Sequence, residues 1–150
     1  MQTTSGAAFV YTPQVVVDGR DWNWRSRPLP PQRPASIEVT LTQKDSQVEA
    51  VVQPREGAPT RLAAYWAVLE DGHVSDVRAG ENAGATLRHD DVVRSYRAVG
   101  AWNTAERAHR LAFDLPTARE PARPQRTALV VYDARTGRPL QAVQLVCGAN

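Results

Sequence analysis

The run Leu62-Ala63-Ala64-Tyr65-Trp66-Ala67-Val68-Leu69 constrains this chain most, because it is apolar on both faces of an extended strand. Bounded by Pro59 on one side and Asp71-Gly72 on the other, it suits the central strand of a sheet. A short buried helix fits the run almost as well on periodicity alone. The pattern around it is one of strands. Ile37, Val39 and Leu41 alternate with Glu38, Thr40 and Thr42, the period of two that a half-buried strand requires. Lys44-Asp45-Ser46 reads as a turn, and Val48, Ala50 and Val52 as the returning strand. Val92 to Val99 and Leu111 to Leu115 supply two more. Ala128 to Tyr132 and Leu140 to Val146 flank Asp133 to Arg138, where Gly137 suits a hairpin closed by a left-handed glycine. Six or seven short strands with turns between them predict a mainly β fold, an antiparallel β-sandwich. No glycine-rich phosphate loop, long amphipathic helix or internal repeat interrupts the pattern.

Composition narrows the function classes. With 42% hydrophobic and 23% charged residues over 150 positions, the chain can bury a core, and wholesale disorder is not expected. Its basic pI of 9.0 comes from 17 arginines against one lysine, Lys44, yet the net charge is only +2. The arginines are scattered among nearly as many carboxylates, whereas nucleic-acid binders cluster basic residues on one face, so no nucleic-acid partner is expected. The single cysteine, Cys147, cannot form an intramolecular disulfide, a CxxC pair or a cysteine-based zinc site. No stretch reaches the roughly 18–20 apolar residues of a membrane-spanning helix. Met1 to Val10 lacks the basic and apolar regions of a signal peptide, which predicts a cytoplasmic chain if Met1 is its true start.

Three regions follow along the chain. Residues 1–24 hold a short apolar strand, Gln14 to Val17, entered through Thr12-Pro13 and left through the turn signal Asp18-Gly19. Residues 25–34 carry four prolines in ten positions and read as a semi-rigid linker. Residues 35–150 form the β domain.

Candidate chemistry is sparse. The densest polar segment runs from Gly80 to Asp91 and holds Glu81, Asn82, Arg88, His89 and Asp90. A metal there would need His89 to converge with Glu81, Asp90 or Asp91. On a strand, Asp90 and Asp91 would point to opposite faces, so His89 and Asp91 give at most two ligands. The plainer reading is a loop whose Gly80 and Gly84 take positive φ, with Asn82 and Asp90 bonding nearby backbone. His73, after a glycine, is expected in solvent, and His109 is expected to face solvent on an edge strand. Trp66 reads as core and Trp102 as a strand-end or edge residue. Trp22 and Trp24 would pack the N-terminal piece against the β domain or form an exposed aromatic contact. No serine sits in a nucleophile elbow. No catalytic residue, metal or cofactor is expected of this chain, and Trp66→Ala is expected to cost core stability.

Val10 to Arg20, with Thr12-Pro13 at its centre, resembles the cis-proline hairpin of thioredoxin-like folds. Ala64 to Gly72, the Glu81-Asn82 pair after Gly80, Leu87-Arg88-His89-Asp90-Asp91-Val92-Val93-Arg94, and the hairpin from Ala128 to Val143 are together similar to a bacterial secreted family, domain of unknown function 1223. The resemblance extends from about Val10 to Leu145. It implies a thioredoxin-like unit bearing a CxxC motif followed by a β-sandwich, in a periplasmic or secreted protein. The family's opening βαβ unit with its paired cysteines has no counterpart in these residues, so the resemblance is to the C-terminal part. Two functions follow as expectations. One is a non-catalytic binding or interaction module, with Glu81, Asn82, Arg88, His89, Asp91 and Arg94 on its contact surface and an unknown protein or small ligand as partner. The other is part of a thiol–disulfide oxidoreductase whose cysteines lie upstream or in a partner chain, with Thr12 and Pro13 lining the redox site. Unpaired strand edges could also join copies of the chain.

Overall fold

The computed structural model describes residues 15–17, 20–23, 28, 34–105, 107–116 and 123–147. Thr12, Pro13 and Trp24 lie outside them. Among the described residues there are eleven strands and no helix, and hence no helix long and apolar enough to cross a membrane. Near the N-terminus, β1 (Val16–Val17) pairs antiparallel with β2 (Arg20–Asp21), and the half-buried Trp22 donates its backbone N–H to Val15 O at 2.8 Å.

The apolar run is a strand. β5 (Arg61–Glu70) lies between β10 (Gln125–Asp133) and β8 (Val92–Asn103), with β11 (Pro139–Cys147) beyond β10. Pairing on both sides satisfies backbone groups along the strand, whereas an isolated eight-residue helix would leave those of its ends unpaired in a buried site. The second sheet runs β3 (Ile37–Lys44), β4 (Gln47–Pro54), β9 (His109–Asp114), and every pairing in both sheets is antiparallel. A separate hairpin, β6 (His73–Asp76) with β7 (Thr86–His89), stands apart from both.

One core joins the two sheets. Alternate residues of β5, Leu62, Ala64, Trp66 and Val68, are buried with Leu129 and Val131 of β10 against Ile37, Val48, Ala50, Val52, Leu111 and Phe113 of the second sheet. Trp66 stacks on Phe113 with ring centroids 5.4 Å apart. β3 lies against β11 along one side. Along the other, Trp102 stacks on His109 at 4.5 Å, and the Arg97 guanidinium sits 5.8 Å over the Phe113 ring. His109 is therefore on an edge strand as expected, but half-buried rather than facing solvent. An imidazole that stacks on an indole removes apolar area from both rings, and this outweighs its hydration.

Two turns follow local chemistry. Asp45 takes φ of +51° between β3 and β4. In the β10–β11 connection, Asp133 carboxylate oxygens accept the Arg135 N–H and the Thr136 hydroxyl, each at 2.9 Å, and Gly137 takes φ of +72°. The Arg135 backbone bond is the main reason the Asp133 carboxyl titrates below its ordinary value. Gly137→Ala should therefore cost about 1 kcal/mol, because a Cβ is strained in the left-handed region. Gly100 supplies the contrast. It lies in β8 without positive φ, and an added Cβ would meet nothing within 4 Å. Gly100→Ala should raise stability by about 0.5 kcal/mol by restricting the unfolded chain. Denaturant midpoints of the two variants should move in opposite directions.

Candidate functional site

The polar chemistry gathers where β5 ends. The inward alternation of β5 continues past Val68 to Glu70, which places a carboxylate at the rim of the core with only 3% of its surface exposed. Gln125 stands directly opposite on β10 and donates Nε2–H to Glu70 Oε2 at 3.0 Å. Arg123 reaches Oε1 at 3.4 Å. Arg94 comes within 3.8 Å of Oε2. Its position has a backbone cause: Val68 pairs with Ser95 and Leu69 with Val93, so Arg94 is the extra residue of a β-bulge, a distortion that re-aims a side chain. The Gln125 hydrogen bond, aided by Arg123 and by the Arg94 charge, holds the Glu70 carboxyl below the usual carboxylate range against the opposing effect of burial.

His73 completes this centre, and here the expectation of a solvated ring is corrected. Its side chain is only 18% exposed, with Nε2 2.9 Å from Glu70 Oε1, although off the line of a well-aligned hydrogen bond. Nδ1 lies 3.2 Å from Arg123 Nη1. A guanidinium has no acceptor, so Nδ1 carries the lone pair in this contact and the ring proton sits on Nε2, towards the carboxylate. A nearby carboxylate and cation draw the ring out of solvent.

A second group ties the turns on either side of the β6–β7 hairpin. Arg126 Nη2 donates to Asp71 Oδ1 at 2.6 Å and to Asp91 Oδ1 at 2.5 Å. Asp91 N–H donates to Asp71 Oδ1 at 2.9 Å, and Gly72 N–H to Asp90 Oδ1 at 2.9 Å. Asp90 thus bonds backbone 18 residues away in sequence rather than nearby. Asp91 has φ of +57°, so strand alternation does not govern it, and it shares no face with His89.

The residues of the Gly80–Arg94 segment are dispersed, not convergent. Glu81 and Asn82 lie exposed in the β6–β7 connection, where Gly80 and Gly84 both take φ of +89° as expected. Main-chain Asn82 O, rather than its side chain, accepts Ala85 N–H at 3.0 Å. Arg88 and His89 are exposed on β7. His89 Nε2 is 2.7 Å from Ser75 Oγ, Asp91 binds Arg126, and Arg94 belongs to the Glu70 centre. No group of three or more His, Cys, Asp or Glu that could hold a metal occurs among the described residues.

Glu70, Gln125, Arg123 and Arg126 stand in no local sequence motif that marks a site. One signal was available: Glu70 keeps step with Ala64, Trp66 and Val68, so the inward face of the strand ends on a carboxylate. A tyrosine row crosses the other face of the sheet, with Tyr65 of β5 between Tyr96 of β8 and Tyr132 of β10. Tyr65 lies 5.2 Å from Tyr96 and 6.3 Å from Tyr132 between ring centroids. Burial, then its two tyrosine neighbours, push the Tyr65 hydroxyl above its ordinary pKa. Tyr96 of this row, and Val93 and Val146 of the same sheet, are each more than half exposed.

These features define a mainly β, antiparallel two-layer domain with a buried carboxylate centre and a projecting polar hairpin. The chain belongs to the family described as Protein of unknown function (DUF1223), which matches it over residues 1–132. No match is found among the curated proteins.

Proposed function

We propose that the chain is a non-catalytic binding or interaction module of a cell-envelope protein, periplasmic or secreted, with a thioredoxin-like unit as its other part. The observation that carries this reading is the dispersal of the polar residues: Arg88 and His89 lie on β7, which is exposed throughout, Asp91 follows it and binds Arg126, and Arg94 sits in β8 beside Glu70, so each engages a different neighbour or solvent. Side chains arranged in this way form a surface, whereas proton or group transfer needs them within reach of one reacting atom. Connecting segments held on a rigid scaffold are the usual place for recognition. The partner is a protein or small ligand met by a mixed-charge surface. Among the described residues the outer edges of β8 and β11 pair with no further strand, which offers a route for copies of the chain to associate.

The second reading, part of a thiol–disulfide oxidoreductase with cysteines upstream or in a partner, rests on Thr12-Pro13 and the β1–β2 hairpin that follows it. Insulin reduction by dithiothreitol, assayed on the protein purified at its natural length from its own cells, separates the two. The non-catalytic reading predicts the rate of the reductant alone. Acceleration that disappears after the protein's cysteines are alkylated would overturn that reading.

A further inference from the structure

The β6–β7 hairpin has little of its own to hold it. It forms a two-stranded sheet hydrogen-bonded to neither larger sheet, and contributes no residue to the core cluster. The side chains of its two strands are exposed apart from the half-buried His73. Such a hairpin is marginal in water by itself. Its position must therefore be set where the chain enters and leaves it. Both crossings contain a left-handed residue, Gly72 at +74° and Asp91 at +57°, and the two are cross-linked by Gly72 N–H to Asp90 and Asp91 N–H to Asp71. Within this knot one nitrogen, Arg126 Nη2, bridges Asp71 and Asp91. Arg126 belongs to β10, paired in register with Leu69 of β5, so it fastens the crossings to the rigid body of the domain. Without it, two carboxylate oxygens drawn to the same nitrogen would repel one another.

We propose that the β6–β7 hairpin is a hinged flap, pivoting at Asp71–Gly72 and Asp90–Asp91 and latched by Arg126. Arg123, bonded to His73 Nδ1, sets a second fastening on the β6 side. The latch fixes how Arg88 and His89 are presented, a consequence that rests on the binding-module reading. The latch itself does not, and it is tested without any partner.

The test is amide hydrogen exchange, read as protection factors, on the full chain and two variants. Arg126→Met removes the bridging cation. Asp91→Asn keeps the cation and suits the left-handed backbone, and because the Asp91 side chain is 66% exposed this variant folds even if the first does not. Protection of the Gly72 and Asp91 amides should fall by about tenfold in Arg126→Met, and by less in Asp91→Asn, as expected for loss of a charge-assisted hydrogen bond that governs local opening. Ala64, Trp66 and Val68 amides should keep most of their protection. The proposal is overturned if hinge and core amides lose protection together in Asp91→Asn, if neither variant changes the hinge, or if the hinge amides are unprotected in the unaltered chain.

Discussion

Replacing Trp66 with alanine should lower the unfolding free energy by about 3–5 kcal/mol, measured by urea denaturation at neutral pH. The indole is 1% exposed, lies opposite Leu129 in the β5–β10 register, and stacks on Phe113 of the facing sheet. Truncation would therefore remove apolar contact within one sheet and the ring that joins the two. The cavity would lie among Leu129, Val131 and Phe113, side chains already fixed by paired strands and unable to collapse far. Trp66→Phe provides a graded control. Its loss should be about 1–2 kcal/mol, since the smaller ring keeps much of the stack and also removes an indole N–H that is buried without a partner. A loss under about 1 kcal/mol in Trp66→Ala would mean that the sheets do not share this core.

Stability should also fall in acid, with Glu70 responsible for an identifiable share. The folded-state pKa of Glu70 is depressed below the ordinary 4.5, first by the Gln125 hydrogen bond. A depressed carboxylate contributes stability that is fully present above its unfolded pKa and is lost as pH falls through the folded pKa. Denaturant midpoints should thus hold from neutrality to about pH 5, then decline below about pH 4. Glu70→Gln cannot take part in that titration. The variant should be less stable at pH 7, because Arg94 and Arg123 lose a charged acceptor, and its midpoint should fall less steeply in acid. Parallel pH profiles for the two proteins would show that Glu70 is not coupled to folding.

How much of this was legible in the sequence depended on the range of the interactions. Ile37 to Val52 could be read because one face of each strand is buried, so polarity alternates. Gly80, Gly84 and Gly137 could be read because positive φ is a local demand on one residue. β6 and β7 could not be read as strands, since neither Val74 nor Leu87 is buried and hydrophobic alternation has no core to report. The Glu70 centre was hidden for a different reason. Its partners Arg123 and Gln125 lie 53 and 55 residues away, and only the pairing of β5 with β10 brings them together. His73 is hidden with it, because a histidine after Asp71-Gly72 has the local pattern of a solvated turn residue and its neighbours Glu70 and Arg123 come together only through that pairing. Thr12 and Pro13 lie outside the described residues.

The central claim is that the β6–β7 hairpin presents a contact surface, and site-specific photo-crosslinking in the native cells tests it most directly. A photoreactive residue would replace Leu87 or Arg88 in turn, with Glu56, exposed in the β4–β5 turn, as the control position. The account predicts one discrete adduct from both hairpin positions, weakened by Asp91→Asn, and none from position 56. Equal labelling at all three positions, or an adduct at position 56 alone, would contradict it.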